Sequence, residues 1–325
     1  MAPSDIDGQP SALVPTPDST QLAPLGLPPL PDKAARQTRN ALITVGLVSL
    51  LVATYAVGIA VGVPMLEYVL GAGGVVIAVR ERRKVEHGLR VYERARADMR
   101  SGQIEAATAA VDEVLAHAGS NLRYAAVYVR LALLRGVLAL RLGQVREARA
   151  RLLAVEATGW LGSFRISRQA TGEGYASLSI CGSVLGDVDE ARAWLERGRE
   201  VLDPTREHAI VPHADDAIDS SSVSLELAEA TLLARQDDHQ RLFALLQSLR
   251  HNDSDSDLLG RALHLLQAYA LHRLSEGENE YRGVFSSMPI EPLLAKLHPG
   301  ELDFMAVHWP ELRAFMHARG VSARP

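Results

Sequence analysis

Cysteine is almost absent from this chain, because Cys181 is the only one among 325 residues. A single cysteine excludes disulfide bonds within the chain and any metal site built from a cluster of thiolates. The absence of disulfides fits a reducing cytoplasm. Apolar residues surround Cys181 at helical spacing, which predicts an inert thiol in a helical core.

An excess of basic charge is also missing. The formal net charge is −5, and from Ser101 onward 30 Asp and Glu face 23 Lys and Arg. An acidic surface of this kind is repelled by phosphate backbones, so the composition argues against nucleic-acid binding. Arginine greatly outnumbers lysine, which is typical of a bacterial genome of high GC content.

Catalytic motifs are missing too. The sequence has no nucleophile elbow, Walker loop, paired carboxylates at a defined spacing or serine-lysine motif, so we predict no enzyme, cofactor or metal site. Asp253, Asp255 and Asp257 alternate like the start of a calcium loop. However, Leu258 stands where the loop needs glycine and His264 where it needs glutamate, which favours capping of a helix that begins at Leu258.

A second polar cluster contains residue types that bind divalent metals, but no HExxH or comparable spacing. We therefore favour a solvated linker between helices. The cluster consists of His208, His213, Asp215, Asp216 and Asp219.

Residues 1–40 form a proline-rich N-terminal segment, in which eight of the 16 prolines lie before residue 33. Such a segment buries too little apolar surface to offset its ordering entropy, so we expect a disordered cytoplasmic tail. Proline-rich tails also serve as ligands for aromatic grooves, but no basic-flanked PxxP is present, which favours a spacer.

Residues 41–79 form a nearly unbroken apolar run. A bilayer core about 30 Å thick takes roughly 20 helical residues, so the run is long enough for two crossings. Gly62-Val63-Pro64 breaks it into arms 41–61 and 65–79, which predicts a two-helix transmembrane hairpin with a short second arm. Basic residues flank both ends, and positive flanks stay cytoplasmic, which places the rest of the chain at the cytoplasmic face of a bacterial inner membrane.

Glycines in the apolar run suggest close packing of membrane helices, through Gly58, Gly62 and Gly74. Gly71, Gly73 and Gly74 resemble a nucleotide-binding loop only superficially, because no strand precedes them. Glu67 is the one acidic residue in the run. It suggests either a functional group within the membrane or, closer to Pro64, a residue at the outer interface; we favour the interface.

From residue 80 onward the apolar residues recur at helical spacing with no alternating stretch, which predicts an all-α fold. Three sets repeat one pattern: a turn glycine, an alanine five residues later and a bulky residue four further on. A weaker fourth set follows Asp237, with Leu242 and Leu246. The three sets are Gly102, Ala107 and Val111; Gly143, Ala148 and Leu152; and Gly186, Ala191 and Leu195.

These sets resemble the tetratricopeptide repeat, in which a small residue of the first helix, such as Gly136, precedes the turn. The turn glycines lie 41 and 43 residues apart, longer than the roughly 34 of that family. The resemblance implies an α-solenoid over 80–250, and we expect residues 251–325 to form a helical cap whose aromatic residues seal the last unit.

The resemblance also implies that the first helices of the pairs line a groove. Five residues then project into it: Tyr92, Arg96 and Arg100 from the first unit, and Arg130 and Arg141 from the second. Guanidinium groups beside an aromatic ring suit an acidic peptide. Alternatively, Arg96 and Arg100 contact anionic lipid headgroups or only solvate the helix.

The sequence supports two hypotheses about function. The leading hypothesis is a membrane-tethered scaffold that recruits a cytoplasmic protein through the repeats. The alternative is a small channel or transport component whose transmembrane hairpin is regulated by the helical domain.

Overall fold

The computed structural model describes residues 46, 49, 65–118, 125–161, 166–203, 219–249, 258–276 and 282–322. Within these ranges the chain contains helices and no strand, which confirms the all-α prediction. The helices are α1 Met65–Arg100, α2 Ile104–Ala118, α3 Ala125–Arg141, α4 Val145–Ala157, α5 Arg168–Leu185, α6 Val188–Leu202, α7 Asp219–Arg235, α8 His239–Ser248, α9 Leu258–Glu276, α10 Arg282–Ser286, α11 Glu291–Leu294, α12 Asp303–Ala306 and α13 Pro310–Ala318.

The first eight helices form four helix–turn–helix pairs. Each first helix packs against its own second helix and against the first helix of the next pair, so that α1, α3, α5, α7 and α9 form one stack. We call this stack the first-helix layer. Each second helix also contacts the following first helix, so every pair buries its apolar face against a neighbour.

The turns between the paired helices share one backbone conformation. Gly102, Gly143 and Gly186 have φ values of +81°, +78° and +88°, and Asp237 has φ +57°. In each turn the next amide donates to a carbonyl five residues back, as in the bond from Asp187 to the Gly182 carbonyl at 2.8 Å. These are Schellman caps, which close a helix with a left-handed residue. The predicted fourth turn, at Asp237, is confirmed. This aspartate adopts the left-handed conformation that glycine adopts in the other three turns.

The residues predicted to pack between helices are buried. Ala107, Ala148 and Ala191 are fully enclosed, and Leu242 is enclosed at the equivalent place in the fourth pair. A Cβ on Gly136 would lie 2.7 Å from Leu152 Cδ2, so only glycine allows α3 and α4 to approach this closely. Cys181 is completely buried, as predicted, and its burial raises the pKa of the thiol.

Helix α1 joins two segments that the sequence analysis separated. The predicted second membrane arm, 65–79, and the first repeat helix are one unbroken helix from Met65 to Arg100, so the proposed domain boundary at residue 80 falls inside it. None of the helices in the described part of the chain combines the length and apolar character that a membrane span needs. The arm 41–61, with Gly58, and the turn at Gly62 lie outside the described residues except for positions 46 and 49.

Other predictions also fall on residues outside the described ranges. These are the proline-rich tail, the histidine–aspartate cluster except Asp219, and the aspartates at 253, 255 and 257. Gly74 lies in the helical backbone of α1.

The C-terminal segment, from Gly300 to Ser322, packs against the first-helix layer. Tyr269 of α9 meets Trp309 and Phe315 edge-on, with ring centroids 5.8 and 5.5 Å away. Leu302, Met305 and the aromatic residues Phe304, Trp309 and Phe315 of this segment are buried. The aromatic residues therefore pack on α9, the last helix of the first-helix layer, and the segment also reaches back to the turn at Gly143, where Val307 and Phe304 lie against the glycine.

Candidate functional site: an arginine cluster on the first-helix layer

The predicted groove residues of the first unit lie on α1. Tyr92 is buried, and the guanidinium carbon of Arg96 lies 5.7 Å from the centroid of its ring. This is the distance of a cation–π contact. Arg100, one turn further on, has an exposed side chain.

Arg96 also faces a carboxylate from two helix pairs away. Its Nη2 lies 3.7 Å from Oε2 of Glu173 on α5, and the two side chains are 16% and 21% exposed. The ion pair thus joins the first and third pairs across the intervening α3. Arg130 of α3 lies near enough to Tyr92 for its charge to oppose the rise in the phenol's pKa that burial causes. We call Tyr92, Arg96, Arg130 and Glu173 the Arg96 cluster.

Burial and charge act in opposite directions within the Arg96 cluster. Burial raises the pKa of Tyr92, and the charge of Glu173 adds to this effect, while Arg96 opposes it. For Arg96, burial lowers the pKa, but nearby acidic groups, of which Glu173 is the strongest, outweigh it, and the pKa is raised. Arg96 therefore stays a cation, and Tyr92 stays a neutral hydrogen-bonding phenol at neutral pH.

Arg141 lies away from Arg130. It stands eleven residues after Arg130 on α3, which places their backbones about 16 Å apart at 1.5 Å per residue. Its guanidinium carbon lies 5.1 Å from the ring centroid of Phe304. Arg235, at the end of α7, makes the same contact with Trp309 at 5.2 Å. The C-terminal segment therefore covers the part of the predicted groove that contains Arg141.

A cavity of about 20 Å³ lies where the Arg96 cluster meets the C-terminal segment. This is about the space of one water molecule. Its polar lining comes from Arg141, Glu173, Ser177 and Ser224, and Phe304 is part of its apolar lining. Glu173 thus lies between Arg96 and the covered Arg141.

Sequence reasoning missed Glu173. A signal was available, because Arg130 and Glu173 each stand thirteen residues before the turn glycine of their pair. Equivalent positions of stacked repeats lie on the same face. Because the second pair has arginine at this position and the third pair has glutamate, opposite charges meet on one surface.

A larger cleft, of about 710 Å³, opens at the fourth turn. Asp237 faces a histidine and an arginine, with its Oδ1 3.3 Å from His239 Nε2 and 3.6 Å from Arg273 Nη2. Burial lowers the pKa of His239. His239 is among the residues that line the cleft, although both nitrogens of its ring are buried.

No group of three or more histidine, cysteine, aspartate or glutamate side chains in the described residues is arranged to hold a metal ion. Comparison with known proteins gives no match to a family model, a curated protein or a solved structure.

Proposed function

We propose that this protein is a membrane-tethered scaffold that recruits a cytoplasmic protein through an α-solenoid similar to tetratricopeptide repeats. The main support for this proposal is the stack of four helix pairs, in which each pair packs on the next through its first helix. Stacks of this kind build extended surfaces whose equivalent positions recur from repeat to repeat, which suits the binding of extended peptides.

The Arg96 cluster supports an acidic peptide as the ligand. Two arginines and a buried tyrosine are brought together from two first helices, and Arg96 is only 16% exposed, so its charge is less screened than on an open surface. Guanidinium groups bind carboxylates through paired hydrogen bonds. Since Arg141 is covered by Phe304, we place the ligand at the α1 end of the layer, on Arg96 and Arg130.

The membrane tether is the apolar run 41–79 with its hairpin. The continuity of α1 from Met65 to Arg100 supports a rigid connection between tether and repeats. Arg82 and Arg83 follow the run with exposed side chains, where cations favour the anionic headgroups of the cytoplasmic leaflet. We propose a bacterial inner membrane, with the repeats in the cytoplasm.

Charge reversal tests the recruiting surface. Full-length protein with Arg130→Glu should lose most of the specific partner that the wild type captures from native membranes by crosslinking. Arg146→Glu is the matched control, because it makes the same charge change on an exposed residue of α4 in the same helix pair. Equal capture by both variants and the wild type would remove the assignment to the Arg96 cluster.

Fractionation tests the tether. The full-length chain should stay in the membrane fraction after alkaline carbonate washing, and protease added outside intact spheroplasts should leave residues 80–325 undigested. Recovery in the soluble fraction without detergent would contradict the tether, and digestion from outside would contradict the orientation.

A further inference from the structure

Glu173 is the acidic member of an otherwise cationic and aromatic cluster. Its carboxylate comes from α5, faces Arg96 on α1 and lines the cavity beside Arg141 on α3. The predicted ligand of this surface is also a carboxylate. The chain's own side chain therefore lies where the ligand's acidic group is expected.

The Arg96–Glu173 contact is loose compared with other ion pairs between helix pairs. Its closest nitrogen–oxygen distance is 3.7 Å, beyond hydrogen-bonding range. Arg149 and Glu190 approach to 2.7 Å, and Arg197 and Glu156 to 3.3 Å, each with hydrogen bonds. Glu173 thus neutralises the charge of Arg96 without accepting a hydrogen bond from its guanidinium group.

A carboxylate of the ligand can form a stronger interaction with Arg96 than Glu173 forms. A peptide side chain is free to approach the planar guanidinium at 2.7–2.9 Å and form two parallel hydrogen bonds. Glu173 is held by the α5 backbone and does not reach this geometry. The half-buried position of Arg96 favours this displacement, because charge-assisted hydrogen bonds are stronger where little water is present.

We propose that Glu173 is an internal stand-in for the ligand, and that an acidic side chain of the recruited peptide displaces it from Arg96. This inference rests on the proposed function and adds a mechanism to it: the surface is masked by its own carboxylate, so only a ligand with an acidic group at this position binds. A neutral ligand leaves Glu173 in place and gains nothing at Arg96.

The test uses a fluorescein-labelled decapeptide of alternating glutamate and glycine, and the same peptide with glutamine. Binding to the full-length protein in nonionic detergent is measured by fluorescence anisotropy at low salt. Glu173→Gln keeps the shape of the side chain but removes the competing charge. Because the apparent affinity rises with the fraction of unmasked protein, we expect it to bind the glutamate peptide about tenfold more tightly than the wild type.

Two further variants make the result specific. Arg96→Gln should weaken binding of the glutamate peptide in both the wild-type and the Glu173→Gln background. Glu156→Gln is the matched control, because Glu156 is 25% exposed and pairs with Arg197 of the next helix pair, at 3.3 Å. It should bind like the wild type, although it makes the same change in net charge.

The outcomes separate the inference from the proposed function. If the wild type binds the glutamate peptide through Arg96 and Glu173→Gln binds it no more tightly, the stand-in role is overturned and the acidic-peptide surface survives. An equal gain in Glu156→Gln also overturns it, as a general charge effect. If no variant binds the glutamate peptide better than the glutamine peptide, the inference and the acidic ligand are both overturned.

Discussion

Glu190 fastens the second helix pair to the third by accepting hydrogen bonds from Arg149. Arg149 Nη2 and Nε both donate to Oε2, at 2.7 and 3.0 Å, while Trp194 Nε1 donates to Oε1 at 3.1 Å. The Glu190 side chain is only 8% exposed, and Arg149 is 36% exposed. One carboxylate thus links α4 to α6 and orients the indole of Trp194.

Neutralising Glu190 should destabilise the array. Glu190→Gln keeps one acceptor but removes the charge that faces Arg149, and hydrogen bonds to charged groups contribute about 1.5–3 kcal/mol. Because Arg149 is partly solvated, we expect a loss of about 1–2 kcal/mol in the free energy of unfolding, measured by urea denaturation. Asp189→Asn is the control: its carboxylate is 94% exposed, and a change below about 0.5 kcal/mol is expected. Equal losses would contradict the role of Glu190.

The left-handed turn at Gly102 should resist substitution. Gly102 has φ +81° and open space where a Cβ would lie, so an alanine there meets no atom but suffers the left-handed conformation. That conformation costs an L-residue about 1–2 kcal/mol, and Gly102→Ala should lower the free energy of unfolding by this amount.

Gly283 supplies the matched control for that change. It also has open space around a Cβ, but it lies in the right-handed helix α10. Gly283→Ala should leave stability unchanged or raise it by up to about 1 kcal/mol. Parallel chemical denaturation of the two variants decides the matter, and a loss of the same size in both would show that conformation at Gly102 is not the cause.

Gly136 and Leu152 should be energetically coupled. A Cβ at position 136 would lie 2.7 Å from Leu152 Cδ2, and overpacking of this kind costs about 1–3 kcal/mol. Leu152→Val makes room, so the double variant should lose less stability than the sum of the two single changes. Leu242→Val is the control partner, since Leu242 is equally enclosed but lies in the fourth pair. Its combination with Gly136→Ala should be additive.

Local features of this fold could be predicted from the sequence because they are short-range. A turn glycine and the apolar positions five and nine residues later follow from helix geometry alone, so the sequence pattern places Gly143, Ala148 and Leu152 correctly. Even Asp237 is recognisable as a turn. Its left-handed φ of +57° does not follow from its residue type, since aspartate adopts this conformation far less readily than glycine.

Long-range contacts cannot be predicted from such local sequence patterns. Phe304 covers Arg141 although 163 residues separate them in the chain, and no periodicity relates the C-terminal segment to the second pair. The predicted groove therefore extends further along α3 than the open surface does. Glu173 was missed for a related reason: its contact with Arg96 depends on how closely the first and third pairs approach, which the helix spacing within one pair does not determine.

His239 is enclosed beside the fourth turn and gives the fold a pH dependence. It is 8% exposed, and its ring meets Tyr269 edge-on at 5.7 Å. Burial lowers the pKa of His239 from 6.5; Asp237 and Asp238 oppose this effect, and Arg273 adds to it. The folded state thus favours the neutral imidazole.

His239→Gln should therefore reduce the sensitivity of the protein to acid. Since the unfolded chain binds the proton more tightly, the contribution of His239 to stability is present above pH 6.5 and is lost as the pH falls from there through the lowered pKa of the folded state. The wild type should lose more free energy of unfolding than His239→Gln between about pH 7.5 and pH 5.5, measured by urea denaturation. Burial also lowers the pKa of His272, so the variant should keep a smaller loss of the same sign. Replacing His317, which is exposed on α13, controls for the removal of a histidine and should leave the wild-type loss intact; an undiminished loss in His239→Gln would mean that His239 is not the group being protonated.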